Sequence, residues 1–405
     1  MMKKEMKKVP VVRFKGFTSD WEQRKLSELA IFSKGIGYSK SDLRESGTPI
    51  ILYGRLYTKY ETVIKDVDTF VEDKTDSIYS KGGEVIVPAS GETAEDISIA
   101  SVVEKPGILL GSDLNIIHPN KKIDSTFLAI SISNGEPHLD MARRAQGKSI
   151  VHLHNDDLAQ IGLSYPILEE QRKISRCFSQ LDHLITLHQR KSDQLKKLKA
   201  YFLQNLFPDK GEKVPKIRFK GFTDDWEQRK IGDCFTERKE SMPKGELLSV
   251  TINEGIKRFS ELERHDSSNQ DKSKYKKVCI GDIAYNSMRM WQGASGFSDY
   301  EGIVSPAYTV LKPHDGIDAR FVSYLFKTKD LIHVFQINSQ GITSDNWNLK
   351  FPVLSTINIK IPEKIEEQNK IAEFLAKLDN LITLHQRKLE ALQTLKKFLL
   401  QNLFV

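Results

Sequence analysis

The sequence predicts an α+β chain in which one unit is used twice. Each copy is a mixed α/β domain followed by a long helix, and the two helices pair as an antiparallel coiled coil. Three observations carry this expectation. Residues 9–26 (VPVVRFKGFTSDWEQRKL) return at 214–231 as VPKIRFKGFTDDWEQRKI. Residues 169–191 (EEQRKISRCFSQLDHLITLHQRK) return at 366–388 as EEQNKIAEFLAKLDNLITLHQRK. Both copies close on QNLF, at 204–207 and 401–404. Self-similarity at a fixed period marks a duplicated scaffold.

The order of elements follows. Residues 49–56, 83–87 and 114–117 read as strands of the first domain, and Asp124 is placed to cap a helix that starts at Ser125. Residues 281–285 and 302–311 read as strands of the second domain, and Asp318 repeats the cap. The segments after Glu169 and Glu366 carry apolar residues in alternating steps of three and four. That spacing is a coiled-coil seam. It runs through Leu181, Leu184, His188 and Leu195 in one helix, and through Leu378, Leu381, His385 and Leu392 in the other. A helix of about 38 residues is roughly 57 Å long. His188 and His385 fall at the helix midpoints, so an in-register antiparallel pair would bring them together. The Pro208-Asp209-Lys210-Gly211 run ends the first helix and opens the second copy. The expected boundaries are 1–165 and 208–361 for the domains, and 166–207 and 362–405 for the helices.

Composition narrows the function. The 405 residues carry 61 Lys+Arg against 54 Asp+Glu, a formal charge of +7. This is compatible with a nucleic-acid partner without establishing one. No apolar run approaches a membrane span. The basic first eight residues lack the apolar stretch of a secretory leader. Three scattered cysteines, Cys177, Cys234 and Cys279, argue against a disulfide framework and point to a reducing cytoplasm.

No set of residues in the sequence makes a convincing catalytic site. Residues 142–149 (ARRAQGKS) fit a relaxed phosphate-loop pattern, but the preceding residues look helical and the following ones strand-like, the reverse of what such a loop needs. His152 and His154 lack a third ligand in view and read as surface or hydrogen-bonding residues. Gly35-Ile36-Gly37 lacks the strand and the distant acidic residue of a nucleotide site. We therefore expect no catalytic, cofactor or metal residues in this chain.

Binding is more legible. Sequence-specific contact with DNA needs Lys and Arg for phosphates and Arg, Asn, Gln, Ser and Thr for base edges. Loops with that mixture are marked in the first domain by Arg55, Lys59, Ser90, Arg143, Arg144, Gln146, Lys148 and Ser149. In the second they are marked by Asn286, Arg289, Trp291, Gln292, Gln340 and Thr343. The copies diverge most between about 30 and 120 and between about 235 and 305. One scaffold carrying two different surfaces suggests that two different things are read.

The whole ordered set resembles the specificity subunit of type I restriction-modification enzymes. The likeness rests on the RFKGF…WEQRK openings at Arg13 and Arg218, on the EEQ-x-K-I helix starts after Pro166 and Pro362, on the LITLHQRK runs and on the QNLF endings. It spans essentially the whole chain. The resemblance implies two target-recognition domains, each reading one half of a bipartite site in double-stranded DNA, with the helices setting the spacing. It implies two modification subunits that bind S-adenosylmethionine, and restriction subunits that use ATP and Mg, so that these cofactors belong to partners and none to this chain. It implies a cytoplasmic, non-catalytic chain with no membrane partner. Two other readings stay open: a stand-alone DNA methyltransferase or nuclease, and a structural coiled-coil adaptor.

Overall fold

The structure, a computed structural model, describes residues 9–147, 149–252, 255–262, 265, 268–342 and 347–405. The chain forms two compact units. One takes the residues up to Gln189 together with Arg387–Val405, and the other takes Arg190–Gln386. Both long helices are present, the central one at Leu168–Asn205 and the terminal one at Ile365–Asn402. Each unit contains half of each helix, so the compact units divide the helices at their middles rather than at their ends.

The first unit is built on a five-stranded sheet ordered Ala30–Lys34, Leu114–Pro119, Glu84–Pro88, Ser101–Val103, Val63–Ile64. Its pairs are antiparallel except the last. Glu84–Pro88 is buried along its whole length, as a strand covered on both faces must be. The second unit has a four-stranded antiparallel sheet, Phe235–Glu237, Tyr308–Pro313, Ile283–Asn286, Ser295–Phe297, with two further strand pairs beside it. The fold is the expected mixed α/β arrangement, duplicated.

The repeated motifs are the fasteners of each unit. The EQRK strand Glu22–Lys25 pairs with Gly162–Tyr165 just ahead of the central helix, and its copy Glu227–Lys230 pairs with Asn358–Ile361. Arg13 forks onto Glu170 with two hydrogen bonds of 2.8 Å, and Arg218 onto Glu367 with bonds of 2.7 and 2.9 Å. Both glutamates are buried, and such bidentate pairs are strong and geometrically specific. The buried Gln171 takes the Asp124 amide on its side-chain oxygen, and its amide group donates to the Lys122 and Pro166 carbonyls. Gln368 does the same for Asp318, Gly316 and Pro362. The EEQ motif therefore joins each helix start to the helix cap next door. Asp124 and Asp318 both cap as expected, accepting from Phe127 and Phe321.

The halves of the two helices run antiparallel inside each unit. In the first unit Lys396 pairs with Asp182 at 2.5 Å, and in the second Lys199 pairs with Asp379 at 2.5 Å. The seam differs from its expected membership. Leu181, Leu195 and Leu378 are buried and Leu392 is half-buried against the first core, but Leu184 and Leu381 are 39% and 43% exposed. At 3.6 residues per turn, each three-residue step falls about 60° short of a full turn. The ridge 178, 181, 184, 187 thus rotates out of the interface, and Leu187 is 50% exposed. His188 and His385 are half-buried, one in each unit.

Several local expectations are corrected. The apolar run at 49–56 is strand only over Thr48–Ile51, because Gly54–Thr58 turns into a short helix. Residues 302–311 form two strands, Gly302–Val304 and Tyr308–Pro313, interrupted around Pro306. The run after Ser149 is strand only at Val151–His152 and becomes helix at Asn155–Ala159.

Candidate nucleic-acid interface

In the first unit, three sequence-distant segments converge. The Tyr57 hydroxyl donates to the Ser90 carbonyl at 2.7 Å. Ser90–Gly91 pairs as a strand with Val151–His152. His152 closes the next loop by exchanging backbone hydrogen bonds with Gln146 at 2.8 and 3.0 Å. Gly147 makes that closure possible. Its φ is +146°, and a Cβ there would lie 1.8 Å from the Ile150 carbonyl oxygen, which no side-chain-bearing residue tolerates. Gln146 and Ser149 are exposed beside it, and Lys148 lies outside the described residues.

Arg143 and Arg144 end the helix that leads into this loop. Arg143 is exposed and pairs with Glu136 at 2.7 Å, while Arg144 pairs with Asp140 at 3.1 Å. Surface pairs of this kind contribute little, so a phosphate can take over the guanidinium at small cost. The Glu136 hydrogen bond raises the Arg143 pKa further, which keeps the charge permanent.

Two sequence-based assignments in this unit are corrected. Arg55 is buried and spends its guanidinium internally, on Asp68 at 2.6 Å, Glu61 at 2.8 Å and the Asp66 carbonyl at 2.9 Å. Its role is to close the loop 55–68. Lys59 shares Asp68 at 2.7 Å but remains exposed, and the hydrogen bonds from Lys59 and Arg55 push the Asp68 carboxyl down to about 2. Ser90 is buried within its short strand, so it contributes backbone and not a side chain.

The second unit repeats the theme with other residues. The turn at 286–293 starts at Asn286, whose side-chain oxygen accepts the Met288 amide at 3.0 Å. Arg289 is exposed, and Trp291 and Gln292 are half-buried. A second loop is closed by reciprocal backbone hydrogen bonds between Gln340 and Asn348 at 2.8 and 3.0 Å, in the position of the Gln146–His152 closure. Gln340 is exposed, while Thr343 lies outside the described residues. The two loops are fastened together. The Leu349 amide donates to the Ser287 carbonyl at 2.8 Å, and Trp347 meets Trp291 edge-on with centroids 5.2 Å apart.

Two residues here escaped sequence reasoning. Trp347 follows a stretch with no matching counterpart in the first copy, so the repeat gave no signal for it. Lys327 donates from Nζ to the Ile252 carbonyl at 2.8 Å and to the Gly293 carbonyl. It thereby joins the 248–258 hairpin to the Trp291 turn. Burial, then the nearby Lys199, pushes this ammonium down to about 8, against a smaller opposing pull from Asp379.

The arrangement offers hydrogen-bonding loops, exposed guanidinium groups and an aromatic pair on two frameworks of one design. A family model, the type I restriction modification DNA specificity domain, matches the chain twice, over residues 18–197 and 223–394. The type I restriction enzyme MjaVIII specificity subunit of Methanocaldococcus jannaschii is 24% identical over 400 residues, covering 93% of this chain and 90% of that protein. The crystal structure of a type I restriction-modification S subunit from M. genitalium shares the fold, with a TM-score of 0.63 and 13% identity over 98% of this chain and 99% of that one.

Proposed function

The chain belongs to the type I restriction-modification DNA specificity family, and from that premise we propose that each of its domains reads one half of a bipartite DNA target. One observation carries this reading. The loop closures Gln146–His152 and Gln340–Asn348 occupy matching places in the two units and both open on Gln-Gly, yet one closes on a histidine and the other on an asparagine, around different residues. A duplicated frame with divergent tips is what two different half-sites require. The contacts we assign are Lys59, Arg143, Arg144, Gln146 and Ser149 in the first unit, and Asn286, Arg289, Trp291, Gln292 and Gln340 in the second. Lys148 and Thr343 keep their place in the proposal from sequence.

The helices supply the partner surface in this reading. Leu184 and Leu187 with Leu395 and Phe398 are exposed in the first unit, and Leu381 and Leu384 with Leu198 and Tyr201 in the second. Two equivalent apolar ridges suit two copies of one modification subunit. The chain itself acts as a non-catalytic reader in the cytoplasm. S-adenosylmethionine, ATP and Mg serve the modification and restriction subunits. None of the helices is long and apolar enough to cross a membrane among the described residues.

Methylome sequencing of cells carrying this chain with its modification subunit tests the reading. A split methylated motif is expected. Exchanging residues 30–160 for those of a related chain should change one half alone. A change in both halves would defeat the modular reading. Stoichiometric S-adenosylmethionine binding by the isolated chain would favour a stand-alone methyltransferase.

A further inference from the structure

The two helix starts are near-copies, but their differences are concentrated. Between 169 and 191 the chain departs from its repeat at 172, from 175 to 180, and at 183. Five of the residues at these positions, Arg172, Ser175, Arg176, Ser179 and Gln180, line an open depression of about 430 Å³ in the first unit, together with Asp124 and Thr126 at the start of the neighbouring helix.

Its lining carries two donor-only guanidinium groups, three hydroxyls and an amide that can donate, and one carboxylate. Arg172 and Arg176 stand one turn apart on the same face of the central helix, both exposed, and neither forms an ion pair with a described residue. Like charges at this spacing repel, so the pair costs stability when empty. Thr126, Ser179 and Gln180 complete the rim. The one carboxylate in the lining, Asp124, already accepts from the Phe127 amide at 3.0 Å and the Ser175 hydroxyl at 2.5 Å. Two guanidinium forks with hydroxyl and amide donors around them suit an oxyanion with acceptors on several sides.

The second copy lacks this chemistry. Asn369, Ala372, Glu373, Ala376 and Lys377 stand in the corresponding places. Thr126 is replaced by Arg320, which is engaged with Asp299 at 2.5 Å. The charge at the second arginine position is reversed.

We infer that Arg172 and Arg176 form a phosphate-binding site present once per chain, on a scaffold that otherwise repeats itself. The phosphate comes either from the DNA backbone beside the first half-site or from a free phosphate. The backbone source rests on the DNA-reading proposal, and the free source does not.

The test uses the full chain and Arg172→Ala/Arg176→Ala, with circular dichroism to confirm folding, since both side chains are exposed. Inorganic phosphate is titrated by calorimetry, and duplex affinity is measured against salt. If the backbone is the source, the slope of log affinity against log salt falls by about two in the variant, with both half-sites unchanged. If a free phosphate is the source, the wild type binds one phosphate per chain, the variant at least tenfold more weakly, and the slope stays. Asn369→Arg/Glu373→Arg should strengthen whichever signal is seen. Unchanged phosphate affinity together with an unchanged slope overturns the site, as does loss only of assembly with a protein partner. A wild-type chain without sequence-dependent DNA affinity would instead defeat the DNA-reading proposal and leave the calorimetric arm standing.

Discussion

Lys396 lies 2.5 Å from Asp182, and one repeat earlier on the lysine side Lys199 stands at the same distance from Asp379. Each aspartate also fastens the adjoining domain: Thr62 donates to Asp182 at 3.1 Å, and Tyr324 to Asp379 at 2.8 Å. Helix register and domain seating therefore share one carboxylate in each unit.

Charge exchange probes this relationship. Asp182→Lys should lower stability by about 0.5–1 kcal/mol, because the pair is partly exposed. Asp182→Lys with Lys396→Asp should recover part of the loss, the remainder reporting the Thr62 bond. Thermal melts of the two variants decide the point, and equal melting temperatures would remove the pair from the register.

A larger effect is expected at the anchors. Arg13→Ala leaves the buried Glu170 carboxylate without its fork, a change on the order of 3–5 kcal/mol. Arg13→Met with Glu170→Leu should recover most of it, because the charge goes together with its partner. Denaturant unfolding of the single and double variants gives the comparison, and Arg218 with Glu367 forms a second instance in the other unit.

The anchors also mark the limit of what the sequence makes legible. The RFKGF, WEQRK, EEQ and QNLF runs were visible as repeats, and each is a fastener. Which copy fastens to which was hidden. Trp21 packs edge-on against Phe404, from the far end of the chain, at 6.5 Å, while Trp226 meets Phe207 at 6.2 Å. Val12 donates to the Asn402 carbonyl and Ile217 to that of Asn205, both at 2.9 Å. When both copies carry the same anchor, local pattern holds no information about the pairing. The candidate contacts divide for a similar reason. Arg143, at the end of its helix, and Arg289, in a turn, are both exposed, as their polar settings suggested. Arg55 looked the same in sequence, and only the tertiary approach of Glu61 and Asp68 converts it into a buried brace.

Lys327 gives a pH signature. Its pKa in the folded chain is lowered to about 8 from 10.5, so the unfolded chain holds more protons between these values and stability rises with pH across that window. Below about pH 8 both states are charged and the burial cost, on the order of 3 kcal/mol, is fully present. Lys327→Met should flatten the pH dependence between 8 and 10.5 in denaturant melts. It should also weaken binding at the second half-site only, because the Trp291 turn loses its tether. A variant with the wild-type pH profile would show that the ammonium is solvated.

Arg143 and Arg144 separate positioning from reading. If both hold phosphates, Arg143→Ala/Arg144→Ala should weaken binding at all sequences and lower the salt slope by about one per contact. If one reads a base edge, the expected loss is about 1–3 kcal/mol with relaxed preference at one position of the first half-site. Affinity measured at several salt concentrations on matched and mismatched duplexes distinguishes the two. Unchanged values on both axes would exclude this helix end from the interface.

Helix length is a variable of its own. The compact units divide between Gln189 and Arg190 in the central helix and between Gln386 and Arg387 in the terminal helix. Four residues inserted at both points add about one helical turn, roughly 6 Å, to each helix. Such an insertion leaves every pair described within a unit intact. Asp182 keeps Lys396 in the first unit, and Asp379 keeps Lys199 in the second. A single insertion is different, because it lengthens one helix and not the other and sets the two ion pairs in conflict. The double insertion should therefore melt close to the wild type and the single insertion well below it. If the helices set the spacing between half-sites, the methylated motif of the double insertion keeps both halves and gains one or two base pairs between them. An unchanged spacer in a stable double insertion would show that the distance is set elsewhere.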